Sequence, residues 1–430
     1  MEDSTRPAVL EEALAELAHL LARVSEAAEG DLAAAERAVR EGVLGIGARV
    51  LAAGLAARGA GKAGPRAPCA CGRGATFEGY RRKEVQTLVG WVAVRRAYYH
   101  CAHCGRGWAP LDAALGLARD SHSPGVRRLA SRFGALLPFG QAAATLAEAA
   151  GVRLSPSTLR AVTEAAGARR EAEASAAADR AWRDGLPAPA AAGTPPDRLY
   201  VAMDGVRILG TDGEGREVKV GVVAPRQTGP GGEARAPASY AAGLEPAAAF
   251  GRRLALEAHR RGLEGAGEVV VLGDGAAWIW NLAAEHFPTA TQVVDWYHAS
   301  ERVWALGRAR YGEGAAQTAR WVERQLDRLA RGQVRPLVAG WRRLKCQGAA
   351  ATIRDEQVTY FTNQAERMAY DAYRRRGLDV GSGMVESACK HLIGAREKGP
   401  GMRWSEAGAQ AVAAVRVALF NAQADDLAAA

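Results

Sequence analysis

Residues Val269–Trp304, VVVLGDGAAWIWNLAAEHFPTATQVVDWYHASERVW, hold two short apolar runs separated by a helical spacing, and each run ends in an acid. Val269–Leu272 is continuous and β-branched, the composition of a strand buried on both faces, and Gly273-Asp274-Gly275 breaks it. Asp274 is therefore expected at the carboxyl end of a strand. Ala276–His286 follows with helical periodicity and stops near Pro288, after which Gln292–Val294 forms a second short strand ending in Asp295-Trp296-Tyr297-His298. Strand ends of this kind open onto the crevice where open α/β sheets bind their ligands. Asp-Gly after an apolar run is also ordinary turn chemistry, so the flanking sequence has to decide between the two readings.

Upstream, Leu199–Met203 is another apolar run, and it ends in Asp204-Gly205. Downstream, Gly381-Ser-Gly-Met-Val-Glu386 opens a helix with Ser382 at its N-cap and Glu386 about one turn inside, near the positive end of the helix dipole. Two strand ends and one helix N-terminus can thus converge with three acids. Between these landmarks the pattern predicts strands over Glu217–Val223 and Ala238–Ala242 and a helix over Glu245–Arg261. Strands over Glu268–Leu272 and Gln292–Val294 and a long helical stretch over Ala299–Gly377 complete it. Three hairpin-like strands followed by alternating helices and strands make a mixed α/β sheet.

A chain of 430 residues is long enough for two or three domains. Its net charge of +9 comes largely from arginine, the side chain best shaped for bidentate phosphate contact, which favours a polyanionic partner. The same excess also follows from a biased base composition, so charge supports a case without making one. No uninterrupted apolar run reaches membrane-spanning length, and Met1-Glu-Asp-Ser-Thr-Arg lacks the pattern of a signal peptide, so a cytoplasmic protein with no membrane partner is expected. Four of the six cysteines fall into two close pairs, while Cys346 and Cys389 stand alone.

The front half reads as recognition modules. Pro7–Arg58 predicts two amphipathic helices broken near Gly30-Asp31. Cys69-Ala-Cys71 and Cys101-Ala-His-Cys104 flank two β-patterned runs, Phe77–Val89 and Trp91–Tyr99, which is the layout of a zinc ribbon; His100 or His103 is an alternative ligand to one thiolate. Arg81, Arg82, Lys83, Arg95 and Arg96 lie on the same hairpin and predict a basic, phosphate-contacting face. Phe139–Ala149, the turn Gly151–Ser155 and Pro156–Ala166 outline a helix-turn-helix whose second helix offers Ser157, Thr158 and Arg160 to a major groove, although plain helical packing gives the same outline. Gly185–Pro196 is a linker by composition.

The fragments Arg96-Ala-Tyr-Tyr-His-Cys-Ala-His-Cys104-Gly, Gly273-Asp-Gly-Ala-Ala-Trp-Ile-Trp280, Val294-Asp-Trp-Tyr-His298, Val380-Gly-Ser-Gly-Met-Val-Glu386 and Gly401-Met-Arg-Trp404 resemble bacterial insertion-sequence transposases of the ISKra type, relatives of Mutator-like transposases. The resemblance covers nearly the whole chain. It implies a multidomain α+β protein with a ribonuclease H-like catalytic core and an all-helical insertion. Its expected parts are helices over 1–62, a zinc ribbon over 63–112, a helix-turn-helix-like region over 113–184 and a linker over 185–197. The core follows over 198–298, the insertion over 299–378, and the core resumes over 379–430. Asp204, Asp274 and Glu386 match the catalytic triad, and Asp295 with His298 matches a D-x-x-H signature, read as a supporting pair at the rim of the site. Departures from the expected pattern fall in Asp204-Gly-Val-Arg-Ile and in the short loop before Glu217.

The implied activity is cleavage and joining of DNA, with Asp204 bridging two Mg2+ (or Mn2+) ions about 3.5–4 Å apart and Asp274 and Glu386 holding one each. The implied partners are terminal inverted repeats and target DNA, with the chain a homo-oligomer on DNA in the cytoplasm, at the nucleoid. Arg396, Lys398, Arg403 and Trp404 are expected to bind backbone and stack on an unpaired base, and Glu366 and Glu397 to tolerate change to Gln. A same-fold nuclease that cuts without joining, and a DNA-binding relic without catalysis, are the rival functions.

Overall fold

A computed structural model of the chain describes residues 5–117, 120–186, 195–229, 232–235 and 237–421, in a mixed α+β fold with two sheets. The chain divides into two compact units, one up to Thr163 and one from Glu164 onward. That division falls inside a long helix, ahead of the expected linker, whose middle, 187–194, lies outside the described residues.

The first unit opens with α1 (Thr5–Ala28) and α2 (Leu32–Ala57), separated where the sequence places Gly30-Asp31. Asp31 caps α2 by accepting the Ala34 N–H at 2.6 Å, which satisfies one of the orphan donors of the first turn. Next come β1 (Arg66–Pro68), β2 (Gly74–Thr87), β3 (Gly90–His100) and β4 (Gly107–Trp108), an antiparallel sheet in that order. Helices α3 (Pro110–Ala114), α4 (Pro124–Leu136) and α5 (Phe139–Ala150) follow. The last of these ends on Gly151 in the left-handed region at φ 67°, where a side chain would be strained. Then α6 (Pro156–Asp184) begins. It runs far past the expected end at Ala166, and Gly167 in its interior lets the backbone at Ala411 approach where any Cβ would collide.

The second unit is built on a larger sheet: β5 (Arg198–Leu209), β6 (Gly215–Gly229), β7 (Gly232–Arg235), β8 (Ser239–Gly243), then α7 (Ala247–Arg260), β9 (Glu268–Gly273), α8 (Ala277–His286) and β10 (Thr291–Val294). The strand order is β10-β9-β5-β6-β7, with β8 also pairing along β6. The β5–β6 and β6–β8 ladders are antiparallel, while β9 and β10 run parallel to β5. Central β5 is apolar on both faces over Leu199–Met203, all wholly buried, as its continuous apolar run requires.

Helices cover both faces. A Cβ at Gly221 of β6 would strike Phe250 and Leu254 of α7, so that face of the strand looks toward α7. Its neighbour Val220, registered with Asp204, looks the other way because side chains alternate along a strand. The expected helical insertion comprises α9 (Trp296–Tyr311), α10 (Ala316–Ala330), α11 (Val334–Arg342), α12 (Ala349–Asn363) and α13 (Tyr370–Arg375). The chain then returns through α14 (Gly383–Ala388), a π-helical turn over Cys389–Gly394, α15 (Ala395–Glu397) and α16 (Glu406–Phe420). Among the described residues no helix is long and apolar enough to cross a membrane.

Candidate metal centres and the acidic crevice

Met203 of β5 is registered with Gly273 of β9, and Gly273 with Val294 of β10. The next residue on each of these three parallel strands is an acid: Asp204, Asp274 and Asp295. Three carboxylates therefore stand in a row at one level of the sheet. Asp204 is not at a strand end as expected; β5 continues to Leu209 because β6 pairs with it along its whole length. What ends at Met203 is only the parallel ladder with β9, and that is what leaves Asp204 facing the crevice.

Each acid is held differently. Asp204 accepts its neighbour Gly205 N–H at 2.7 Å and lies 3.5 Å from the Cys389 thiol on the returning π-helical turn. Burial raises the Asp204 carboxyl above its ordinary range, the Gly205 bond opposes this, and the charge of Asp274 adds to it. The same burial, with the charge of Asp204, raises the Cys389 thiol. Asp274 accepts the Ala276 N–H at 2.8 Å, tightening the turn into α8.

Two residues of the insertion clamp this turn from outside: Tyr360 donates its hydroxyl to the Asp274 carbonyl at 2.6 Å, and Gln364 donates to the Gly275 carbonyl at 3.0 Å. Gly275 has φ 103°, and a Cβ there would strike Tyr360, so only glycine admits the clamp. The Arg302 guanidinium lies 3.8 Å from the centre of the Tyr360 ring.

Asp295 is wholly buried and is not at the rim of the crevice, as the sequence led us to expect. One oxygen accepts both the His298 backbone N–H (2.7 Å) and the His298 ring Nδ1 (3.0 Å), and the other accepts the Ser382 N–H. These bonds outweigh burial, which acts in the opposite sense, and leave its carboxyl below the ordinary range. In turn the bond to Asp295 raises His298 to about 9 against the effect of burial, with the charges of Asp295, Asp274 and Asp204 adding to it. Asp295 therefore binds the end of β10, the first turn of α9 and the loop before α14 into one frame.

Glu386 sits in the first turn of α14, as expected. Ser382 precedes the helix but does not cap it with its side chain; its hydroxyl donates to Glu386 at 3.2 Å, and its N–H goes to Asp295. Ligand atoms of Asp295, His298 and Glu386 lie within 4.8 Å of one another, a set that could hold a metal ion. The expected set was Asp204, Asp274 and Glu386. The structure instead groups Glu386 with the Asp295–His298 pair, with Asp204 and Asp274 on the adjoining strands.

In the other unit, Cys69, Cys71, Cys101 and Cys104 bring their sulfurs within 4.8 Å of one another, with pairs at 3.6 and 3.7 Å. A tetrahedral ion with zinc–sulfur bonds of about 2.3 Å needs sulfurs roughly 3.8 Å apart, so the cluster fits zinc. Turns closed by Gly72 N–H to Cys69 O (2.9 Å) and Gly105 N–H to Cys101 O (2.8 Å) form the two knuckles, so the short C-x-C spacing is accommodated. The Cys104 backbone N–H is the largest influence lowering the Cys101 thiol, to about 6, toward the thiolate a metal requires. His100 turns to Glu78 at 3.4 Å, and neither it nor His103 is part of the cluster.

The expected DNA-contacting residues divide. Arg81 stacks on Tyr98 and Arg95 on Tyr80, at 3.3 and 3.8 Å from the ring centres, while exposed Arg82 pairs with Glu84 and half-buried Lys83 lies beside it on β2. Arg96 does not belong to this face, because it is drawn inward to Asp112 at 2.5 Å. Ser157 and Arg160 are exposed at the start of α6, but the hydroxyls of Ser157 and Thr158 both engage Ser155.

At the C-terminal cluster Lys398 and Arg403 are exposed, whereas Arg396 and Trp404 are buried. Trp404 donates to the Glu397 carbonyl at 3.0 Å and carries Arg396 over its ring, so it cannot stack on a base. Glu397 is likewise buried, raised to about 8 by desolvation despite Arg416 and Arg396 nearby, and is no surface control. Glu366 is exposed and keeps that role. No known protein-family model and no curated protein matches the chain.

Proposed function

We propose that the chain is a DDE transposase of the ISKra type, which binds element ends and catalyses metal-dependent cleavage and joining of DNA. The observation that carries this reading is the row Asp204, Asp274, Asp295 across three parallel strands, with Glu386 brought against it from a helix 112 positions beyond Asp274 (386 minus 274). A strand order in which hairpin-linked β5, β6 and β8 are joined by parallel β9 and β10 is what a ribonuclease H-like core requires. Such a concentration of carboxylates, with Asp204 raised by burial and further by the charge of Asp274, is an arrangement that divalent cations relieve.

Asp204, Asp274 and Glu386 would hold Mg2+ or Mn2+, which would supply charge relief at a phosphodiester and activate an oxygen nucleophile. The protein's part is positional. Asp295 fixes the α14 loop so that Glu386 faces the strands, and Tyr360 and Gln364 fix the turn that carries Asp274. His298, held charged by Asp295, directs its remaining ring nitrogen away from that carboxylate and can meet phosphate oxygen. Affinity for DNA rests on the exposed arginines of β2 and β3, with Arg160, Lys398 and Arg403, which predicts a steep salt dependence.

The test uses the full chain with labelled duplexes made from the DNA flanking its gene. The parent should nick and join 3′-ends with Mg2+ or Mn2+. Asp274→Ala and Glu386→Gln should stop both reactions while binding the duplex about as well as the parent, and Glu366→Gln should change nothing. Undiminished cleavage by Glu386→Gln would overturn the assignment, and cleavage without joining by the parent would make the protein a nuclease.

A further inference from the structure

The first turn of α9 holds one large ring out in solvent. Tyr297 is 61% exposed, the largest fraction for any phenylalanine, tyrosine or tryptophan among the described residues. Its neighbours on either side are tied down: the Trp296 ring meets Tyr370 edge-on with centres 4.9 Å apart, and the His298 ring is bonded to Asp295 at 3.0 Å. Successive helical residues point about 100° apart, so a turn anchored through Trp296 and His298 leaves Tyr297 facing outward. A single exposed ring is ordinary on a protein surface, and what distinguishes this one is its position.

Gly381 fixes where the ring stands. A Cβ on Gly381 would lie 3.0 Å from Tyr297 Cε2 and 4.0 Å from Asp295 Oδ2, so glycine lets the ring edge rest against the backbone beside that carboxylate. The next residue, Ser382, bonds both Asp295 and Glu386. Ring and carboxylate are thus no further apart than those two distances end to end, roughly two base steps at about 3.4 Å each. Cations surround the ring: exposed Arg374 lies 4.6 Å from the centre of the Trp296 ring, and exposed Lys390 is 3.9 Å from Glu386. An exposed ring among cations, at the edge of an acidic crevice, suits a strand whose backbone meets the charges and whose base meets the ring.

We infer that Tyr297 is a positioning residue that stacks on one unpaired base beside the phosphodiester in the crevice, so that the strand is taken locally opened rather than as intact duplex. The inference rests on the proposed function for the presence of that phosphodiester. Bases inside a duplex have both faces covered by their neighbours, so a protein ring finds a base face only where one has been unstacked. A ring already held in place by Gly381 loses little freedom on meeting it. Every base has such a face, which makes the contact tolerant of sequence. The stacking role expected of Trp404, which is buried, thus falls to a ring that is accessible.

The experiment reads binding by fluorescence anisotropy with the full chain, without divalent cation so that no strand is cut. The probes are the labelled flanking duplex and copies of it that lack a single base at successive positions of the end the protein protects. Tyr297→Ala should bind the intact duplex about tenfold more weakly, with an unchanged slope of affinity against salt because no phosphate contact is lost. On the copy lacking the base that the ring covers, parent and Tyr297→Ala should bind within about twofold of each other, while the difference persists on the other copies. Tyr297→Phe should match the parent. If the alanine variant loses helix by circular dichroism, Tyr297→Gln takes its place in the same comparison. Equal binding of the intact duplex by parent and variant, a loss that persists on every copy, or a Tyr297→Phe as weak as Tyr297→Ala would each overturn the stacking. A parent that binds yet neither nicks nor joins would sink the transposase reading and leave the coupling of ring and base to be read by itself.

Discussion

Replacing Asp295 by asparagine tests the frame of the crevice. The side chain is wholly buried and accepts three hydrogen bonds, two from His298 and one from Ser382. Asparagine keeps the shape but offers one acceptor oxygen, so its amide nitrogen confronts either the Ser382 N–H or the His298 donors. A charge-assisted bond contributes about 1.5–3 kcal/mol and a stranded buried donor costs about 1–3 kcal/mol, so a loss of roughly 3–5 kcal/mol follows. With a urea slope of roughly 2–3 kcal/mol per molar, the midpoint of the tryptophan-fluorescence transition should fall by about 1.5 M without a change in slope.

The pH dependence supplies a second reading of the same frame. His298 is raised to about 9, so its contribution is fully present below its unfolded value of 6.5 and is lost as pH climbs through 9. Asp295 is lowered, so its contribution is present above the ordinary carboxylate range and is lost in acid. The parent should therefore be most stable between these limits in buffer without added divalent cation. Asp295→Asn should bring the His298 ring resonance back toward an ordinary midpoint and flatten the alkaline limb; with the ring 33% exposed, that limb is worth about 2 kcal/mol after solvent screening. A parent whose His298 titrates near 6.5, or an asparagine variant with an unchanged urea midpoint, would refute the reasoning.

Metal analysis of reduced, freshly prepared protein should find about one zinc per chain, and Cys101→Ser should lower it to a small fraction while leaving the far-ultraviolet signal of the second unit intact. Tyr360→Phe removes only the hydroxyl that holds the Asp274 carbonyl; it should cost about 1 kcal/mol of stability and raise the Mg2+ concentration that half-saturates cleavage more than it lowers the maximal rate. Gly275→Ala should be worse on both counts, since it adds strain at φ 103° as well as a collision with Tyr360, and a milder effect than Tyr360→Phe would argue against the clamp.

The sequence was most informative where local pattern and burial coincide. The β-branched run before Asp274, the break at Gly30-Asp31 and the cysteine pairs each predicted an element that the structure contains. It misled where partners far along the chain decide. Asp204 looked like a strand end because Asp-Gly is turn chemistry, yet the unbroken antiparallel ladder of β6 carries the strand five residues further. Arg396 and Trp404 looked like a basic, stacking surface because composition carries no burial; the bridge from Trp404 to Leu209 and Thr211 draws them inward. Tyr360 and Gln364 left no local trace at all, since what marks them is a carbonyl 86 and 89 positions away.

The long excursion from β10 to α14 starts and finishes in one place: Trp296 N–H meets the Val380 carbonyl at 2.9 Å, and the next contact along, from Ser382 to Asp295, is a second rung. A segment with adjoining ends behaves as an appendix to the sheet. Closure entropy grows only with the logarithm of length, so shortening such a loop several-fold changes it by just 1–2 kcal/mol. Lineages could thus enlarge, trim or exchange this appendix while the strands beneath stay put, provided each replacement again reaches down to steady the Asp274 turn. Grafting another helical array between Trp296 and Val380 is on this view a feasible piece of engineering, and the residue that must be rebuilt in it is the counterpart of Tyr360.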